Sequence, residues 1–159
     1  MELTRTLTVT AGCTLALPVM VRRVAGFAYC RVISREPSMG GAFLVEVFNH
    51  VSKRRDDAQN AIRQRRLFDP VLASFIFFGT HPCWRIVLRQ HNFSKQDAGY
   101  NSVKIAYNKG HPPQLWQRGK SRVVKASELE GVEPAIVWIP AQLEERVEVE
   151  LLGGKLPAR

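Results

Sequence analysis

Apolar residues alternate with polar ones along the first third of the chain, a pattern that predicts a β-sheet. Residues 3–9 and 27–33 alternate with a period of two, and residues 14–19 end near Pro18, so these three segments are expected to be the first three strands. Residues 43–48 carry apolar side chains on both faces, which predicts a strand buried on both sides. The sequence PSMGG, residues 37–41, predicts a turn before that strand.

The middle of the chain predicts further strands. Residues 71–78 (VLASFIFF) form a continuous apolar run ended by Gly79, which is typical of a central strand covered on both faces. Residues 84–89 and 103–107 alternate again, and Asn108-Lys109-Gly110 predicts a turn. We therefore expect a sheet of at least five strands.

Residues 52–66 (SKRRDDAQNAIRQRR) contain no Gly or Pro and predict a surface helix, with Ser52 or Asp56 as its N-cap. Its apolar stripe is thin and consists of Ala58, Ala61 and Ile62. At 3.6 residues per turn, a helix here places three arginines within about 80° of one another, Arg55, Arg63 and Arg66. This would be a basic helix face.

The C-terminal part of the chain favours an amphipathic helix. Pro140 suits the first helical position, Leu143, Val147 and Leu151 follow at four-residue intervals, and Gly153 is placed to end the helix. The alternation of apolar residues from 147 to 151 would also suit a strand, so a final strand is the alternative.

These elements predict an α+β fold: a strand-rich, mainly antiparallel twisted sheet or partly open barrel, with one basic surface helix and a C-terminal helix. The 159 residues, 45% of them hydrophobic, fit one domain of ordinary size with its own core. We find no repeat or linker that would divide it, so residues 1–159 are expected to form a single domain.

Cysteine usage and hydropathy indicate a cytoplasmic protein. Cys13, Cys30 and Cys83 are an odd, widely spaced set, which favours neither a disulfide framework nor a zinc site. No stretch approaches the roughly 20 apolar residues that span a bilayer. Residues 11–21 around Cys13 resemble a short signal-peptide core or lipoprotein site, but the strand alternation favours a first hairpin.

Net charge adds information about partners. The formal charge is +9, and it is uneven: residues 1–125 carry 20 Lys and Arg against 7 Asp and Glu, whereas residues 126–159 carry 3 against 7. A basic surface favours encounter with an acidic partner, whether nucleic acid, anionic lipid or protein.

The sequence contains no pattern typical of a catalytic site. Neither GxGxxG nor GxxxxGK[ST] occurs, and no pair of histidines has metal-ligand spacing, so we expect no cofactor and no metal. An enzyme built on Cys83 and a histidine is the alternative, with His81 nearest in sequence. A cysteine beside Trp84 at the start of an apolar strand is more typical of a core residue. A non-enzymatic protein is therefore expected.

Guanidinium groups and large aromatic side chains are the best candidates for binding a partner. Guanidinium groups form bidentate bonds with carboxylates and phosphates, and Trp and Arg are enriched among residues that dominate interface energies. The predicted partner-binding residues are Arg54, Arg55, Arg63, Arg65, Arg66, Trp116 and Arg118. A solvated helix face is the alternative for the arginines.

Several short motifs in order resemble one family. They are GCTLALP (residues 12–18), GFAYCRVI (26–33), FLVEVF (43–48), WRIV (84–87), LWQRG (115–119) and the segment 130–139. This arrangement, spanning residues 12 to about 150, resembles the immunity protein 26 family of bacterial polymorphic-toxin systems.

The resemblance implies a small cytoplasmic protein of interbacterial competition that binds and neutralises a cognate toxin domain, without catalysis. The basic composition then predicts an acidic contact face on the toxin. The alternative function is a nucleic-acid-binding module that uses the basic helix face and the region of Lys120 and Arg122.

Overall fold

The computed structural model describes residues 5–6, 8–77, 84–107 and 112–154. Within them the chain forms a short helix α1 (Ala58–Ala61) and a longer helix α2 (Pro140–Leu151). The strands in chain order are β1 (Arg5–Thr6), β2 (Cys13–Val21), β3 (Val24–Glu36), β4 (Ala42–Val47), β5 (Val71–Ala73), β6 (Ile76–Phe77), β7 (Arg85–Arg89), β8 (Ile105–Tyr107), β9 (Gln114–Gln117), β10 (Lys120–Val123) and β11 (Val137–Trp138).

A six-stranded mixed sheet is the centre of the fold, with the strand order β11-β5-β4-β3-β2-β7. Neighbouring strands are antiparallel except for β11, which pairs parallel with β5. A smaller antiparallel sheet has the order β10-β9-β8, and β1 pairs with β6. The prediction of an α+β, strand-rich fold with at least five strands in the sheet is confirmed.

One face of the large sheet packs against α2. Strand residues such as Leu15, Leu17 and Val45 are fully buried there, because every second side chain of a strand points to the same face. Leu143 and Val147 of α2 are also fully buried and belong to the same cluster. Pro140 at the first helical position and Gly153 at φ 75 bound this helix as predicted, and the alternative of a final strand is wrong.

The opposite face of the sheet carries two separate clusters. At one end, Leu44 and Leu72 pack against Ile105 and Trp116 of the small sheet. At the other end, Tyr29 and Phe48 pack in one cluster with Ala58 and Ala61 of α1. This second end positions the surface described below.

The predicted basic helix over residues 52–66 is wrong in extent, because only Ala58–Ala61 is helical. Its N-cap is Asp57, whose side chain caps no backbone N–H, in place of Ser52 or Asp56. The thin apolar stripe offers little burial to extend a helix, and short helices are marginal without it. The chain is also drawn back to the sheet, where Leu67 N–H donates to Val47 O at 2.8 Å.

Two strand predictions also need correction. Residues 71–78 do not form one central strand, because β5 ends at Ala73 and Ile76–Phe77 form β6, which belongs to the separate two-stranded sheet with β1. The first predicted strand does not form a hairpin with the second, since β1 pairs with β6. Residues 114–123 form the β9–β10 hairpin, for which the sequence pattern gives no prediction.

Other predictions fall partly outside the described residues. These are residues 3, 4 and 7 of the strand at 3–9, residue 78 of the apolar run, and the turn at 108–110. The predicted PSMGG turn is confirmed as a 3-10 turn, Pro37–Met39, followed by Gly40 and Gly41 at positive φ. No helix in the described part of the chain has the length and apolar character that crossing a membrane requires.

Candidate partner-binding surface

The arginine segment, defined as residues 53–66, crosses one end of the large sheet. It begins beside β3, where Ser52 and Phe27 exchange backbone hydrogen bonds of 2.8 and 3.0 Å. The hydroxyl of Tyr29, which is fully buried, donates to Arg54 O. Burial raises the pKa of Tyr29. These bonds fix the start of the segment without a regular helix.

A side-chain cluster holds the turn that precedes α1. His50 Nε2 and Asp57 Oδ2 are 2.8 Å apart, and Asn60 Nδ2 donates to Asp57 Oδ1 at 2.6 Å. These hydrogen bonds hold the pKa of the Asp57 carboxyl below its ordinary value, and the bond with His50 has the largest effect. The ionised carboxylate therefore braces the segment from within.

Four of the predicted arginines are exposed on this segment. Arg54 pairs with Asp56 at 3.1 Å, but both side chains are more than two-thirds exposed, so solvent screens the pair. The guanidinium of Arg55 lies 5.1 Å from the ring centre of Phe27. Among the described residues, no carboxylate pairs with Arg63 or Arg65, and both are exposed.

Arg66, the fifth predicted arginine of the segment, has a structural contact instead. Its Nε donates to Glu46 Oε2 at 2.6 Å, and its Nη2 donates to Ala98 O. Glu46 is 2% exposed, so this ion pair ties the segment to the sheet interior. The three arginines 55, 63 and 66 do not share a helix face, since none of them lies within α1.

Trp116 and Arg118 lie elsewhere. Trp116 is fully buried, with its Nε1 donating to Ser38 Oγ at 3.1 Å, and offers a partner no surface. Arg118 is exposed in the β9–β10 turn, beside Tyr100. Burial raises the pKa of Tyr100 to about 12, and Glu36, the last residue of β3, contributes a smaller part of the same shift. The turn thus lies near the last residue of β3, whereas the arginine segment begins beside Phe27, near the first.

The sequence patterns missed a second exposed element next to the arginine segment. The hairpin tip, defined as residues 20–25, joins β2 to β3 through Arg22 and Arg23. Both arginines are exposed and have positive φ, 49° and 64°. Met20 and Val24 beside them are 52% and 53% exposed. The only signal in the sequence was the two-residue gap between apolar positions 21 and 24.

Comparison with known families identifies the chain. The family model described as "Immunity protein 26" matches residues 12–111, which include β2, β3, β4, the hairpin tip and the arginine segment. The chain belongs to the immunity protein 26 family. Comparison with curated proteins gives no match, and neither does comparison with solved structures.

Metal-ligating side chains and cysteines are the remaining candidates for chemistry in this immunity protein 26 family member. Among residues 8–77, 84–107 and 112–154, no three His, Cys, Asp or Glu side chains group as a metal site. Cys30 is fully buried, and burial raises the pKa of its thiol. Cys83 and His81, the alternative nucleophile and base, lie outside the described residues.

Proposed function

We propose that this member of the immunity protein 26 family binds a cognate toxin domain and neutralises it through a surface interface, without catalysis of its own. The observation that carries the proposal is the arginine segment, in which Arg63 and Arg65 are exposed and form no ion pair with a described carboxylate. Membership of the immunity protein 26 family and the exposed cationic surface of the arginine segment both support toxin neutralisation.

The chemistry of this surface favours an acidic face on the toxin. Arg54, Arg55, Arg63 and Arg65 can each form charge-assisted hydrogen bonds with carboxylates. A chain of net charge +9 attracts such a face at long range, which raises the association rate. Since the segment is tied to the sheet at Ser52 and Arg66, little order has to be gained on binding.

Titration against the toxin domain encoded beside this chain tests the proposal. Isothermal titration calorimetry at near-physiological salt is expected to give a tight complex of fixed stoichiometry. Co-expression is expected to restore growth to cells that make the toxin domain. Absence of a complex, with growth still arrested, would contradict the proposal.

A nucleic-acid-binding module is the second candidate, and the same exposed arginines favour it. Proteins that bind single strands also stack bases on exposed aromatic rings. Here the one aromatic ring in contact with an exposed arginine of the segment, among described residues, is the half-buried Phe27 under Arg55. Titration with a short duplex and a single strand is expected to show weak binding that vanishes as salt rises. DNA binding tighter than toxin binding would reverse the order of the two candidates.

A further inference from the structure

The β2–β3 hairpin extends beyond the strands that flank it. β7 pairs with β2 only over residues 13–16, and β4 pairs with β3 only over residues 30–36. Across residues 17–28 of the described structure, the two strands therefore pair chiefly with each other, up to Val21 and Val24. The hairpin tip is the outermost part of this two-stranded ribbon.

The turn at the tip has a backbone conformation that its residues do not favour. Two-residue hairpin turns with two positive φ angles prefer Asn-Gly, because a Cβ is strained in that region. This chain has Arg22 and Arg23 there instead. Backbone strain of this kind is typical of functional sites, and here it places two cations at the most exposed point of a hairpin.

Two contacts brace the ribbon, one at its tip and one just behind it. The backbone N–H of Met20 donates to Glu148 Oε1 of α2 at 2.6 Å. On the other edge, Phe27 is bridged to Ser52, and its ring lies under the guanidinium of Arg55. An isolated two-stranded hairpin is marginal in water, so these contacts hold the tip in one position. A braced tip loses little conformational entropy on binding.

The side chains at the tip combine exposed apolar surface with unneutralised positive charge. Met20 and Val24 are each about half exposed. Among the described residues, no carboxylate pairs with Arg22 or Arg23. Arginine and methionine are enriched in protein interfaces, and a buried arginine needs a carboxylate partner there. Charge complementarity therefore selects a protein recess that is lined by carboxylates.

We propose that the hairpin tip inserts into a carboxylate-lined recess of the toxin domain and is the main contact of the complex. Arg22 and Arg23 pair with the carboxylates of that recess, while Met20 and Val24 bury apolar surface against it. This inference rests on the proposed function and assigns the short-range contact to the tip. The arginine segment beside it then supplies long-range attraction.

The double substitution Arg22→Gly/Arg23→Gly tests the proposal without endangering the fold, because glycine adopts positive φ freely. The matched control is Arg118→Gly, which removes an exposed arginine at φ 54 from the β9–β10 turn. We expect the double variant to weaken toxin binding at least about tenfold, mainly by faster dissociation, with an unchanged or higher Tm. Met20→Ser is expected to weaken binding in the same direction. The control is expected to bind like the unaltered protein.

The outcomes separate the two proposals. If the unaltered protein and the Arg22→Gly/Arg23→Gly variant bind the toxin domain equally well, the tip is not the contact and the proposed function stands. If the Arg118→Gly control loses as much affinity as the double variant, the assignment to the tip is also wrong. If the unaltered protein does not bind the toxin domain, both proposals fail.

Discussion

Arg31 and Glu46 lie opposite each other on β3 and β4 and form an ion pair in the interior of the protein. Nε and Nη2 of Arg31 donate to Glu46 Oε1 at 2.8 and 2.5 Å, and Arg66 holds the other carboxylate oxygen. The Arg31 guanidinium also faces the rings of Phe48 and Phe93, at 5.4 and 4.9 Å from their centres. One carboxylate thus joins the sheet to the end of the arginine segment.

Substitution of Glu46 should be strongly destabilising, because it leaves two partly buried guanidinium groups without their counter-ion. We expect Glu46→Ala to lower the free energy of unfolding by about 2–4 kcal/mol, below the full cost for a buried pair since both arginines reach solvent. Urea denaturation followed by circular dichroism measures this. Asp56→Ala, which removes the exposed partner of Arg54, is the control and should leave the free energy of unfolding nearly unchanged, because solvent screens that pair. Equal losses in the two variants would contradict the structural role of Glu46.

Gly12 and Gly40 both have positive φ, 84° and 67°, but only Gly12 is enclosed. A Cβ on Gly12 would lie 2.7 Å from Phe93 Cβ and 3.0 Å from Gln90 O, whereas a Cβ on Gly40 would meet nothing within 4 Å. Gly40→Ala should therefore cost only the backbone strain, about 1 kcal/mol, and Gly12→Ala clearly more. Thermal unfolding of both variants checks the order. A similar loss of Tm in both would show that backbone strain alone decides.

Among the residues of α2, we expect Leu143 to contribute most of the packing energy between the helix and the sheet. Leu143 is fully buried, with 0% of its surface accessible, whereas Leu152 just past the helix is 52% exposed. Leu143→Ala should cost about 2–5 kcal/mol and Leu152→Ala no more than about 0.5 kcal/mol. Guanidinium denaturation of the two variants measures the difference. Comparable costs would mean that α2 is not packed as described.

The Asp57 carboxylate should contribute stability only above a limiting pH. Its pKa is below its ordinary value of 3.8 in the folded protein, mainly because of His50, so the stabilisation is present above that value and is lost as pH falls through the lowered pKa. We expect Asp57→Asn to be less stable than the unaltered protein at pH values of about 5–6, with the difference shrinking towards about pH 2. Urea denaturation across this range measures it, with Asp97→Asn as the control for loss of an exposed charge. A difference that does not change with pH would contradict this role.

Sequence patterns placed β2, β3 and β4 best. The expected bounds lie within a few residues of the observed ones, because apolar and β-branched residues favour strands, and here both faces of these strands are buried. α2 was placed correctly because Pro140 and Gly153 mark both ends. The helix over residues 52–66 was wrong because local propensity ignores the backbone bonds that return Arg65 and Leu67 to the end of β4.

The candidate surface was predicted in part only. The exposed arginines 54, 55, 63 and 65 lie on one segment, but Arg66 is committed to Glu46 and Trp116 to the core. An arginine's sequence position does not reveal a buried carboxylate that folds next to it, and a tryptophan's does not reveal its depth. Arg22 and Arg23 were missed because a positive φ at arginine contradicts the usual turn signals.

Charge reversal on the arginine segment should slow formation of the proposed toxin complex more than it speeds its dissociation. Exposed charges at the edge of an interface act mainly on the association rate, and salt screens their field over about 10 Å at ~0.1 M. We expect Arg63→Glu/Arg65→Glu to lower the association rate about tenfold at low salt and much less at high salt. Surface plasmon resonance at both salt concentrations measures this. Arg118→Glu, in the β9–β10 turn, is the control and should leave the association rate within about twofold. That turn lies near the last residue of β3, and some 12 residues of strand at about 3.3 Å each separate it from the hairpin tip, the proposed contact. If Arg63→Glu/Arg65→Glu instead accelerated dissociation at every salt concentration, the arginine segment and not the hairpin tip would be the main contact of the complex.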